Sequence, residues 1–317
     1  MRKIAFLVCF FAVSALFLSC AREDAPWPSR TITIVVPFNP GGDSDFNARQ
    51  YATRLGSILG QTVVVQNMAG QGGVLGSTHV MNSRPDGYTA LFWHTSIFTM
   101  RAAGMSEMML DDFELVAVPA QGGFGVVVNG RSPWYTIEDF LAASRETPDE
   151  LMFAVSLGTA AHLTGVFLND LGGQFRLVDI GDVAQRTISL LGNHIHGVTN
   201  PVGPSQPYLE SGDFRFLALF TPERNPVFTD IPTAVEMGFP DASLPINYFI
   251  AFPRGTPSEI VERFADGLEE VFHMPDYRAS ILDVFQQAPF FKRGQEALDY
   301  MRAQETFVMR FSEELRR

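Results

Sequence analysis

The chain has 317 residues, enough for two domains with cores of their own. Its formal net charge is −12, with 35 acidic against 23 basic side chains, which argues against nucleic acid and anionic lipid as electrostatic partners. Its 2 cysteines, Cys9 and Cys20, both sit near the start, so everything after Cys20 lacks a disulfide, a cysteine metal site and a thiol nucleophile.

Arg2 and Lys3 precede an apolar run over 4–18, followed by Ser19-Cys20-Ala21. This pattern predicts an export signal over 1–19, because the run is too short for a comfortable membrane span. Phe17-Leu18-Ser19-Cys20 reads as a loose lipobox, with Phe17 where Leu is usual. It predicts cleavage before Cys20 and lipidation of its sulfur; an ordinary secretory signal cut nearby is the alternative. Residues 20–30 read as a tether.

Strands and helices then alternate. Residues 31–36 predict a strand that runs into Pro37-Phe38-Asn39-Pro40-Gly41-Gly42-Asp43-Ser44-Asp45, and 46–59 predict a helix capped by Ser44 or Asp45. A glycine loop at the positive end of a helix can cradle an anion or can be a plain tight turn. A strand at 62–65, a second glycine loop at 69–73, a short helix at 76–82 and a turn at 84–87 follow. The strand at 89–93 ends in His94-Thr95-Ser96. The strand at 125–129 precedes a helix at 137–145, and the strand at 152–155 ends in Ser156-Leu157-Gly158-Thr159-Ala160 before a helix at 162–171. Short strands are expected at 176–180, 195–199 and 214–220, a strand at 246–252, a helix at 258–273 and a long terminal helix over 294–316. This order predicts an α/β fold with mainly parallel sheets. In such sheets ligands lie beyond the C-terminal strand ends, so the loops at 37–45, 94–96 and 156–160 are candidates for one cleft.

The chain is poor in catalytic patterns. It has no Gly-x-Ser-x-Gly elbow and no P-loop, and its one lysine beyond Lys3, Lys292, lies between Phe291 and Arg293. His194 and His196 could point the same way as metal ligands, or lie on a surface strand. Asp43-Ser44-Asp45 lacks the rest of a calcium loop, so a helix cap is the simpler reading of Asp45. His162 either faces the cleft or packs in the first helical turn; Phe92 and Trp93 either build the core or form a ligand platform.

The segment Trp27-Pro28-Ser29-Arg30-Thr31-Ile32-Thr33-Ile34-Val35-Val36-Pro37-Phe38-Asn39-Pro40-Gly41-Gly42 resembles the N-terminal signature of the Bug/TctC family. These are the extracytoplasmic solute-binding proteins of tripartite tricarboxylate transporters. Further matches follow in order: Leu59-Gly60-Gln61-Thr62-Val63-Val64-Val65-Gln66-Asn67, Gly70-Gln71-Gly72-Gly73, Arg84-Pro85-Asp86-Gly87-Tyr88-Thr89, Leu190-Leu191-Gly192, Asp230-Ile231-Pro232-Thr233 and Pro253-Arg254-Gly255-Thr256-Pro257. The resemblance implies a type II periplasmic-binding-protein fold, with two α/β domains hinged around a cleft. Domain 1 would span 31–126 plus 248–317, and domain 2 would span 127–247.

It also implies a binding protein with neither catalytic residues nor a cofactor nor a metal. The ligand would be a small carboxylate: a di- or tricarboxylate, a related organic acid or an amino-acid-like compound. Binding residues carried over by the resemblance, together with the acidic positions nearby, are Phe38, Pro40, Gly41, Gly42, Asp43, Ser44, Asp45, His94, Thr95, Ser96, Ser156, Gly158, Thr159, Ala160, His162 and Asp179. Implied partners are the large and small membrane subunits of the transporter, with a lipid-anchored monomer outside the cytoplasm touching the membrane through its anchor alone. A ligand-sensing partner of a two-component system and an exported enzyme acting on small organic acids are the alternatives. The chain departs from the family at Asp43 and at Val178-Asp179-Ile180-Gly181-Asp182, where the family usually has Val-Pro-Tyr-Lys-Gly. Extra carboxylates and a lost lysine predict a ligand with fewer negative charges than citrate, or one carrying an amine or a cation.

Overall fold

A computed structural model describes residues 26–239 and 245–316. The expected export signal, the lipobox at Cys20 and the first part of the tether lie outside the described residues. The first elements are β1 (Ile32–Val36), α1 (Asp43–Leu59), β2 (Val63–Asn67), α2 (Val74–Met81), β3 (Thr89–His94), α3 (Ser96–Ala102) and β4 (Phe113–Gly122). Then come β5 (Phe124–Asn129), α4 (Ile137–Glu146), β6 (Met152–Val155), α5 (Ala160–Asp170), β7 (Arg176–Asp179), α6 (Val183–Leu191), β8 (Gly197–Pro201), α7 (Val202–Glu210) and β9 (Phe214–Leu219). β10 (Ile246–Pro253), α8 (Ser258–His273), α9 (Pro275–Phe285), β11 (Lys292–Arg293), α10 (Gly294–Met309) and α11 (Ser312–Leu315) follow.

Two sheets organise these elements. One has six strands in the order β11-β4-β10-β3-β1-β2, and the other has five in the order β7-β6-β8-β5-β9. Each holds a parallel trio, β2-β1-β3 and β7-β6-β8, beside antiparallel neighbours. The sheets are therefore mixed, not mainly parallel. The strands that enter and leave the second sheet cause this: β10 runs antiparallel to both β3 and β4, and β5 runs antiparallel to both β8 and β9.

The passage between sheets is abrupt. Gly122 pairs with Ile246 in the first sheet, while Phe124 pairs with Pro201 in the second, leaving Gly123 as the step. Residues 124–126 thus pair with the second sheet, and Ile246 and Asn247 with the first. Val126, Val127 and Val128 are fully buried in β5 and pair on both sides within the second sheet, with β8 and β9. β4 was not anticipated from sequence, because Pro119 interrupts its apolar run. Pro119 falls at a register shift opposite β10, between the Ala120–Tyr248 and Ala117–Ile250 pairs, where its missing N–H costs no ladder bond. Its carbonyl accepts from the Tyr51 hydroxyl at 2.8 Å, tying α1 to the sheet.

Amphipathic helices complete the cores. α1 buries Tyr51, Ala52, Leu55 and Leu59 in one cluster with Phe264 and Leu268 of α8. Each such large side chain contributes about 1.5–3 kcal/mol on full burial. In the second unit Phe140, Phe153 and Phe175 pack ring on ring, with Phe140 and Phe175 centroids 4.5 Å apart. Phe92 and Trp93 are fully buried and belong to the core.

Candidate functional site

A cavity of about 680 Å³ lies where the two units meet. Its wall comes from the segments after β1, β2 and β3 of one sheet and after β6, β7 and β8 of the other. Both parallel trios therefore point their C-terminal ends into it, which is where open α/β sheets present ligand-binding loops. Among the sequence-derived candidates, Phe38, Pro40, Gly41, Gly42, Asp43, Ser44, Asp45, His94, Ser96, Ser156, Thr159 and Ala160 line it. Thr95, Gly158, His162 and Asp179 are outside the lining.

The first loop is shaped by its own carboxylates. α1 begins at Asp43 with Gly42 as N-cap and no side-chain cap, so neither Ser44 nor Asp45 is the N-cap. Asp45 instead reaches back to accept from the Gly41 N–H at 3.0 Å. It also accepts from Arg49 Nε and from Asn67 Nδ2, each at 3.0 Å. Burial pushes the Asp45 carboxyl up, but bonds from Arg49, Gly41 and Asn67 outweigh this and hold it below its ordinary range. Asp45 is thus a clamp on the loop, already saturated by protein donors.

Asp43 is half-buried, accepts from the Ser44 N–H at 3.1 Å and receives the Tyr248 hydroxyl. Burial drives its carboxyl above the ordinary range, against the pull of Tyr248, Ser44 and the positive charge of Arg186. The N-terminal donors of α1 that the sequence reading offered to a ligand are therefore partly occupied by Asp43 and Asp45.

His94 stacks on Phe38 with ring centroids 4.8 Å apart and planes 4° from parallel. Its Nδ1 accepts from the Ser96 N–H at 3.2 Å, and burial lowers its pKa to about 3, so the ring is neutral at physiological pH. Ser96 lines the cavity with a buried hydroxyl that has no partner among the described residues. Thr95 is buried, and its N–H donates to the Asn247 carbonyl at 3.1 Å.

On the opposite wall, Thr159 caps α5 by accepting from the Ala161 N–H at 3.2 Å and donating to the Ser156 carbonyl at 2.7 Å. His162 is buried; its Nδ1 receives the Gly158 N–H, and burial lowers its pKa while Asp179 opposes. Asp179 is exposed and accepts from the Gly181 N–H at 3.1 Å. Asp182 caps α6 in a box with Gln185, so its charge serves the helix start. His196 accepts from the Met152 N–H at 3.0 Å, and His194 is exposed. Among the described residues no cluster of three or more His, Cys, Asp or Glu side chains could hold a metal ion.

Sequence reading missed Arg186, which lines the cavity from α6 with 3% of its surface exposed. Its Nη1 donates to the Gly181 carbonyl at 2.5 Å, while Nε is buried without a partner. Burial pushes its pKa down to about 10, with Asp182, Asp179 and Asp43 acting against this through space. The available signal was an arginine at the same helical face as Val183 and Leu190, three residues after one and four before the other.

A family model described as the tripartite tricarboxylate transporter family receptor, TctC, matches residues 47–310. Protein BugT of Bordetella pertussis is 31% identical over 263 residues, covering 79% of this chain and 80% of BugT. The solved periplasmic binding protein BugD superposes with a TM-score of 0.81 at 25% identity, covering 91% of this chain and 98% of BugD. The R. palustris protein Rpa4515, solved with adipate, superposes with a TM-score of 0.80 at 29% identity, covering 91% of this chain and 97% of its own.

Proposed function

The chain belongs to the tripartite tricarboxylate transporter receptor family, whose members are binding receptors and not enzymes, and from that premise we propose that it captures a small carboxylate in the cavity between its two sheets. The observation that carries this reading is the cavity itself. At about 680 Å³ it suits one small organic acid, and the C-terminal ends of both parallel trios converge on it. The unpartnered Ser96 hydroxyl, the neutral His94 ring and the loops at 37–45 and 156–160 offer uncharged contacts suited to orienting such a ligand. The adipate held by a relative at 29% identity supports the ligand class.

In this reading the protein is an extracytoplasmic monomer anchored by lipid on Cys20, with residues 20–30 as tether, and it hands its ligand to large and small membrane subunits. Among the described residues no helix is long and apolar enough to cross a membrane. Hinged approach of the two units would enclose the ligand.

A thermal-shift screen of residues 21–317 against mono-, di- and tricarboxylates and amino acids tests the reading, with mass spectrometry of any co-purified compound. A ligand-dependent rise in Tm without turnover of the compound is expected. Failure of every carboxylate to stabilise the protein would overturn it.

A further inference from the structure

We infer that Arg186 is the charged anchor of this cavity, pairing its guanidinium directly with a carboxylate of the ligand. The inference rests on the carboxylate-binding reading above and names the residue that fixes the ligand's charged end. Arg186 is 97% removed from solvent by its 3% exposure, lines the cavity, and keeps a buried Nε without a partner. Among the described residues no carboxylate forms an ion pair with it. A buried guanidinium held by one backbone carbonyl has lost most of its hydration without gaining a counter-ion. An anion entering the cavity supplies that counter-ion, and the fork of a guanidinium matches a carboxylate in geometry.

The other cavity charges point the same way. Asp45 is neutralised by Arg49, and Asp182 is exposed and caps α6. Asp43 faces Arg186 from the opposite unit, near enough to feel its charge, but its oxygens receive Tyr248 and Ser44. The N-terminus of α1 is partly filled by these two carboxylates, so Arg186 is the strong anion partner left in the wall. Because α6 belongs to the five-stranded unit and the loop at 37–45 to the six-stranded one, a ligand paired with Arg186 and touching that loop bridges the two halves. With Asp43 opposite, the site takes one carboxylate on Arg186 and disfavours a second free negative charge beside it.

The test uses Arg186→Met and Arg186→Lys in protein stripped of ligand by unfolding and refolding. The probes are adipate, glutamate, 6-aminohexanoate and citrate, read by thermal shift and calorimetry. Without ligand, Arg186→Met is expected to have an unchanged or higher Tm, because an unpaired buried cation has been replaced by an apolar chain. A clear fall in Tm would assign Arg186 a structural role and overturn the inference. For any probe that binds the wild type, Arg186→Met is expected to weaken binding about thirtyfold or more, with Arg186→Lys intermediate. Wild-type affinity in Arg186→Met would also overturn it. If none of the four binds the wild type, the probe becomes the carboxylate that the thermal-shift screen identifies; if that screen finds none, the carboxylate reading fails and this inference falls with it.

Discussion

Tyr248 of β10 donates its hydroxyl to Oδ2 of Asp43, the first residue of α1, so the strand that returns from the second sheet holds the opening of the first loop. Tyr248 is fully buried, and burial raises its own pKa well above the ordinary phenol range, with the Asp43 charge adding to the effect. The phenol therefore stays protonated and acts as a donor. Removing it leaves a carboxylate in the cavity wall without one of its donors. Tyr248→Phe is expected to cost about 1–3 kcal/mol in urea denaturation. The loss should shrink in an Asp43→Asn background, because the two residues act as a unit. Equal losses in both backgrounds would show that the bond carries no coupling.

The pH dependence of Asp43 follows from its raised pKa. The folded state binds the proton more tightly than the unfolded chain, whose carboxyl has the ordinary value of 3.8. The contribution is stabilising below that value and disappears as pH rises through the folded value. Relative to Asp43→Asn, the wild type should lose stability progressively as pH rises from about 3.5 towards neutrality. A constant difference in urea midpoint across that range would refute the assignment.

His94 has the opposite sign. Its pKa falls from 6.5 to about 3 on folding because burial disfavours the imidazolium. The unfolded chain then binds the extra proton, so this contribution is complete above 6.5 and is lost as pH falls towards 3. A single such group steepens acid destabilisation by up to about 1.4 kcal/mol per pH unit. His94→Gln should flatten the acid limb of a stability-versus-pH curve between these limits. An unchanged slope would mean that the ring is hydrated and titrates normally.

Much of the fold was legible because periodicity and turn chemistry agreed locally. The strand at 152–155 and the helix at 258–273 carry their patterns without interruption, and both appear with those bounds. β4 was hidden because Pro119 interrupts the pattern of a ten-residue strand, and its tolerance depends on a register shift against β10, which lies far away in sequence. α6 was hidden because Gly181 and Asp182 read as an altered family motif, whereas Asp182 and Gln185 form a capping box. Arg186 went unnoticed with it. The glycine loop at 37–45 was visible as a candidate anion cradle, and Asp43 was already its discordant member. The Asp45–Arg49 pair is local, four residues apart on α1, but Asn67 and Tyr248 reach Asp45 and Asp43 only through the fold, so the sequence could not reveal how fully these two carboxylates would be held within the loop.

Gly41 and Gly42 separate shape from strain in that loop. Gly42 has φ −83°, ordinary for any residue, and a Cβ built on it meets nothing within 4 Å. Since Gly42 lines the cavity, a larger side chain can extend into open space without disturbing the core. Gly41 has an equally open surround, but its φ of +89° is one that L side chains rarely adopt. Gly42→Val should therefore keep wild-type stability while narrowing the cavity and abolishing carboxylate-induced stabilisation. Gly41→Val should instead lower stability, by about 1–2 kcal/mol, whether or not ligand is present. Paired denaturation and calorimetry on the two variants distinguish the effects. Undiminished affinity in Gly42→Val would place the ligand away from the start of α1, whereas a large stability loss in that variant would show that the loop cannot accept a β-branched side chain even where its backbone angles allow one.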